Sequence, residues 1–157
     1  MSTALSSPVT GSAQPALTSP TYTLTSDLAP TPNGRQYAVT ALGGTQTGVV
    51  VHNPTVPFTI TIVRPAQFKS LGAPNYVTGV PTVYPRNVWK VIVRKGAKVS
   101  TAVTVPQQIA MASLEISIPA GTESTDAVSI EAMMSLLIGS MNQISSSLST
   151  SLETGVA

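Results

Sequence analysis

The spacing of the apolar residues changes once along this chain, between Pro119 and Asp126. In "MASLEISIP", residues 111–119, Ala112, Leu114, Ile116 and Ile118 alternate with Met111, Ser113, Glu115 and Ser117, the two-residue period of a strand with one face covered. After Asp126 the apolar residues fall at Ile130, Met133, Met134, Leu137, Ile138 and Met141, the three-to-four spacing of one helical stripe. Nothing before residue 125 has helical spacing. The chain is therefore predicted to be a run of strands followed by helix, an α+β order in which one antiparallel sheet is covered by a C-terminal helical layer.

About six strands are expected. "TYTLTSDLAPTPNGRQYAVT", residues 21–40, places two alternating stretches around Pro-Asn-Gly, which predicts a hairpin with positive φ in its turn. "TQTGVVVH" at 45–52, "FTITIVR" at 58–64, "VWKVIVR" at 88–94 and "ASLEISIP" at 112–119 supply the others. Residues 65–86 contain four prolines and two glycines, so they are read as a long connection. A second connection, "KGAKVSTAVTVPQQ" at 95–108, is expected to meet neighbouring copies rather than the core. Residues 1–20 are Ser, Thr, Pro and Ala without charge or periodicity, an extended or disordered arm. Residues 21–157 then make one domain, with sheet to about 119, helices over about 125–153 and Gly139 as the break between two helical pieces.

This order leaves a burial problem. One helical hairpin covers only part of such a sheet, and the stripe Ile130, Met133, Met134, Leu137 and Met141 spans too wide an arc for one local contact. A homodimer that exchanges helices over sheets answers both needs, with those five residues at its interface. The composition agrees. Charged residues are 9% of the chain, whereas Ser and Thr number 40, so little charge repulsion keeps copies apart.

Charge placement points to a further partner. All eight basic residues lie between Arg35 and Lys98, and no acid occurs between Asp27 and Glu115, the footprint of a nucleic-acid binder. Alternation puts Lys90 and Arg94 on one face of their strand, Thr59 and Thr61 on one face of theirs, and Met111, Ser113 and Glu115 together on the last. Two cations and several hydroxyls on one side suit phosphates and bases of a single-stranded RNA or its hairpin.

Catalysis is hard to build from the remainder. The chain has no cysteine and one histidine, His52; its six carboxylates are scattered from Asp27 to Glu153, with no pair at metal or glycosidase spacing. There is no nucleophile elbow and no phosphate loop. No enzyme activity, cofactor or metal is expected, nor is a secretion signal or membrane span. The Ser/Thr-rich, proline-punctuated composition also fits a secreted adhesive or pilin-like β module. Such a module would carry a secretion signal and a closing strand in place of the terminal helix.

The C-terminal half resembles the coat proteins of single-stranded RNA bacteriophages, the leviviruses. The resemblance is carried by "LEISIP" at 114–119, the step to Asp126 and "SIEAMMSLL" at 129–137, with "VWKVIVRKG", its following loop and the N-terminal hairpin in the same order. It implies an N-terminal hairpin, a five-stranded antiparallel sheet and two helices that clasp a second subunit. It also implies an icosahedral shell assembled in the bacterial host cytoplasm, with the sheet face away from the helices binding genomic RNA, including a stem-loop that represses translation. By position it places Ser113 and Glu115 among the polar residues of that face, Lys90 as a basic contact, Thr59 and Thr61 as hydroxyl donors, and Met111 where some members stack an aromatic on a base. Met111 cannot stack in that way, the connection at 65–86 is longer than the family's turn, and the 20-residue arm is additional.

Overall fold

A computed structural model describes residues 3–102 and 105–156, so Val103 and Thr104 of the second connection lie outside the described residues. Six antiparallel strands pair in sequential order in one sheet: β1 (Val9–Thr10), β2 (Thr18–Asp27), β3 (Gly34–Thr45), β4 (Phe58–Val63), β5 (Arg86–Ala97) and β6 (Gln108–Pro119). Helices α1 (Thr122–Thr125), α2 (Ala127–Gln143) and α3 (Ser145–Thr154) follow. This is the expected strand-then-helix order. The N-terminal hairpin, β2 and β3, belongs to the main sheet, because the first residues of β3 also pair with β4. Part of the arm belongs to it too, since Val9 and Thr10 pair with Tyr22 and Thr21.

Three local expectations are corrected. The β2–β3 turn needs no left-handed residue at Asn33 or Gly34; the Gly34 amide donates to the Thr31 carbonyl at 3.0 Å instead. The strand expected over 45–52 does not form, because β3 already runs to Thr45 and Gly48, at φ 81°, turns the chain out of the sheet. Gln46 Nε2 closes that strand end by donating to the carbonyls of Thr21 and Gly43. The helical break falls at Ile144, at φ −94° and ψ 4°, and α2 runs through Gly139. One interior glycine costs a helix only about 1 kcal/mol, whereas Ser145, Ser146 and Ser147 compete for backbone groups and favour a new start.

His52 has a structural role. Its amide donates to the Val39 carbonyl at 2.9 Å and its Nδ1 accepts from the Phe58 amide at 3.1 Å, returning the loop to β4.

One sheet face is apolar, with cross-strand rows Tyr37–Ile60–Val93 and Ile62–Val91–Leu114. The arm crosses it. Leu5 donates its amide to Tyr37 Oη at 3.3 Å, and Leu5 and Val9 line an open apolar pocket of about 300 Å³ with Leu24, Phe58 and Ile60. Farther along, Ser12 Oγ donates to Asn142 Oδ1 at 3.2 Å, while Gln14 Oε1 accepts from Ser149 Oγ at 2.6 Å. The arm thus ties the helices to the sheet. No residue of α2 or α3 is buried in the single chain.

Candidate nucleic-acid interface

The register of β4, β5 and β6 builds the opposite face in three rows: Thr59–Arg94–Met111, Thr61–Ile92–Ser113 and Val63–Lys90–Glu115. Directly opposed residues of an antiparallel ladder project to the same side. All seven residues chosen from alternation therefore stand on one face, opposite Trp89, Val91 and Val93. A one-residue slip of β4 would have replaced the threonines by isoleucines.

Their accessibility divides them. Lys90 Nζ lies 2.9 Å from Glu115 Oε2, and both side chains are about half exposed. Arg94 is half-buried, Ser113 is exposed and Met111 is 63% exposed. Thr59 and Thr61, on the central strand, are buried at 4% and 0% exposure. Thr61 Oγ1 donates to Gln36 Oε1 at 2.9 Å. The groups that a ligand can reach come from β5 and β6, with the β4 threonines as the floor.

The same face holds polar residues that sequence reasoning left out. Gln36 stands opposite Thr61, and its Nε2 donates to Asp27 Oδ2 at 2.7 Å. That bond, with the Leu28 amide, holds the Asp27 carboxyl below its ordinary pKa. Thr25 and Thr40 share a hydroxyl contact of 3.1 Å. Alternation in "GRQYAVT" groups Gln36 with Thr40, but only the β3–β4 register joins that face to Thr61.

Other cations are engaged elsewhere. Arg86 donates from Nε to Ser117 Oγ at 2.7 Å and from Nη2 to the Ser117 carbonyl at 2.8 Å. Lys95 lies opposite Phe58 on the apolar side, where its Nζ donates to the Val50 carbonyl at 2.9 Å and sits 4.9 Å from the Phe58 ring centre. Burial lowers the Lys95 pKa from its ordinary value.

Two other surfaces lack a complement in the single chain. The outer edge of β6 pairs with no strand among the described residues, and the first eight of its twelve residues are exposed. On α2, Ile130, Met134 and Leu137 are half-buried, while Met133 and Met141 are exposed at 44% and 48%. A cleft of about 810 Å³ lies among Leu114, Leu137, Met141 and Leu148. Among the described residues no group of three or more His, Asp or Glu could hold a metal ion, and no helix is long and apolar enough to cross a membrane.

No protein-family model and no curated protein matches the chain. Among solved structures it is similar to the virus-like particle of bacteriophage ESE020, at 47% identity and TM-score 0.92, over 99% of this chain and 100% of that one. A second match, the virus-like particle of Wenzhou levi-like virus 4, has 18% identity and TM-score 0.45, over 74% of this chain and 64% of that one. The first likeness spans the arm, the sheet and both long helices at an identity that marks common descent. The chain belongs to the coat-protein family of levivirus-like RNA bacteriophages.

Proposed function

We propose that this coat protein dimerises, assembles into an icosahedral virion shell and binds single-stranded genomic RNA on the β4–β6 polar face. A hairpin is the preferred ligand, and its capture is the step that would repress translation. The role is structural, without catalysis. One observation carries the RNA reading: three cross-strand rows bring Arg94, Lys90, Ser113 and Met111 to one open face. The Arg and Lys side chains supply phosphate contacts, the serine hydroxyl a hydrogen bond and the methionine an apolar surface under a base. The unpaired β6 edge and the exposed α2 stripe support a dimer in which the β6 strands of two copies continue one sheet while α2 of each crosses the other. Full-length similarity to the subunit of a virus-like particle favours this reading over the secreted adhesive module.

The test is expression followed by size-exclusion chromatography and electron microscopy. Closed particles with co-purifying RNA are the expected result; dimers that never assemble, or particles empty of RNA, would each remove the corresponding half of the reading. Binding of a hairpin pool to dimers held below the assembly concentration then measures the face itself.

A further inference from the structure

The β4–β5 connection has a fixed base and an apolar end left exposed among the described residues. At the base, Asn87 is 3% exposed; its Oδ1 accepts from the Lys69 amide at 2.8 Å and its Nδ2 donates to the Lys69 carbonyl at 3.1 Å. Phe68 packs edge-to-face on Trp89 with ring centres 6.0 Å apart. Leu71 lies against Gly121, where a Cβ would meet Leu71 Cδ1 at 2.9 Å. The connection is therefore seated at the corner where β6 hands over to α1.

Beyond that base the chain turns back on itself in a small hairpin. Pro74 and Pro81 form a bridge, the Asn75 amide donates to the Val80 carbonyl at 3.1 Å, and the Gly79 amide donates to the Asn75 carbonyl at 2.7 Å. The Asn75 side-chain oxygen accepts from the Val77 amide at 2.8 Å, and Gly79 takes φ 70°, a conformation that costs glycine little. At its end Tyr76 is 98% exposed and Val77 74%. Val80, Val83 and Tyr84 are exposed beside them.

We infer that this tip, residues 74–81, is a contact by which one copy of the chain grips a neighbouring copy in the shell. The inference rests on the shell reading above. Chemistry selects the occupant. Residues 70–85 contain no charged side chain, so the tip offers no cation to phosphates, which favours a protein partner over RNA. A tyrosine followed by Val77, with Val80 across the turn, on a hydrogen-bonded hairpin has the composition of an interface core and loses little entropy on docking. Its base lies at the β6–α1 corner, where the edge strand β6 ends, and the tip projects from there into solvent, free to meet another copy in a closed assembly. The segment also lies within the 99% of the chain that aligns with the virus-like particle subunit.

The chain has no cysteine, so Tyr76→Cys supplies a unique thiol. Its labelling by a maleimide is compared in assembled particles and in dissociated dimers, and a thiol-attached benzophenone at the same position reports its neighbour. The expected result is loss of labelling in particles together with a cross-link to a second coat chain. A Tyr76→Cys protein that dimerises but no longer assembles also supports the contact, as does loss of particles, with dimers intact, in Tyr76→Ser/Val77→Ser. Particles that form normally while the thiol labels as fast as in dimers, or cross-link only to RNA, overturn it. If the wild-type chain forms no particle at all, the shell reading itself has failed, and the inference fails with it.

Discussion

Lys90 Nζ and Glu115 Oε2 stand 2.9 Å apart across the β5–β6 ladder, on the face that carries Arg94 and Ser113. Half-exposed ion pairs of this kind contribute about 0–1 kcal/mol to stability. The larger consequence is for the charge offered to a ligand: Glu115 offsets Lys90 and leaves Arg94 as the cation on these rows without an ion pair among the described residues.

Changing Glu115 should therefore act on RNA in the opposite sense to changing Arg94. Arg94→Ala is expected to shrink the salt dependence of binding by about 0.7 in log–log slope, the value for one single-strand phosphate contact. Glu115→Gln should release Lys90 and steepen it by a similar amount. Fluorescence anisotropy at several salt concentrations, on dimers below the assembly concentration, measures both. If the slope is unmoved in Glu115→Gln, Lys90 does not contact phosphate.

The buried threonines separate stability from recognition. Thr61→Val keeps the shape and removes the hydroxyl that donates to Gln36; it should cost about 1 kcal/mol in denaturant unfolding and leave RNA affinity unchanged. Ser113→Ala, on the exposed neighbour of the same row, should do the reverse: little effect on unfolding, altered preference among hairpins and an unchanged salt slope. A large affinity loss in Thr61→Val would show that the floor of the face opens to the ligand.

Most of this face was legible in the sequence because alternation is a local property. The parity of Lys90 and Arg94, or of Ser113 and Glu115, is fixed by the strand alone. Which strand lies beside which, and in what register, is not local. For that reason alternation singles out neither Gln36 nor the burial of Thr59 and Thr61: a threonine on a central strand is enclosed by neighbours that sequence order does not rank. The false strand at 45–52 has a similar origin. "GVVV" has strand propensity, but β3 had already used the available pairing positions, and Gly48 turned the segment away. The same residues that promised an apolar strand now lie in a loop tied to β5 through the bond from Lys95 to Val50.

The Asn87 clip should hold the β4–β5 connection in place. Asn87→Ala removes both hydrogen bonds to the Lys69 backbone, at about 0.5–1.5 kcal/mol for each. Unfolding should occur at lower temperature, and limited proteolysis within 65–86 should accelerate. Asn87→Asp keeps an acceptor for the amide but buries a carboxylate with an oxygen facing the Lys69 carbonyl, and is expected to destabilise at least as much. Wild-type proteolysis in Asn87→Ala would mean that Phe68 on Trp89 and Leu71 on Gly121 suffice to seat the segment.

The α2 stripe gives the most direct test of the dimer. Leu137 is half-buried in the single chain and lines the cleft with Leu114 and Met141, whereas Ser135, two positions earlier and on the other side of the helix, is exposed. If a second copy closes over this stripe, Leu137→Asp or Met134→Asp places an unpaired charge in a desolvated interface, a change worth about 3–5 kcal/mol. Ser135→Asp adds the same charge where water remains. Sedimentation equilibrium and circular dichroism should find Ser135→Asp dimeric and folded, with Leu137→Asp and Met134→Asp lost to aggregation or unfolding. The control also absorbs the general effect of an added acid on α2, so a difference between positions reports burial. Soluble, folded monomer from Leu137→Asp at wild-type yield would mean that the stripe is satisfied within one chain, and the helix-exchanged dimer would have to be given up.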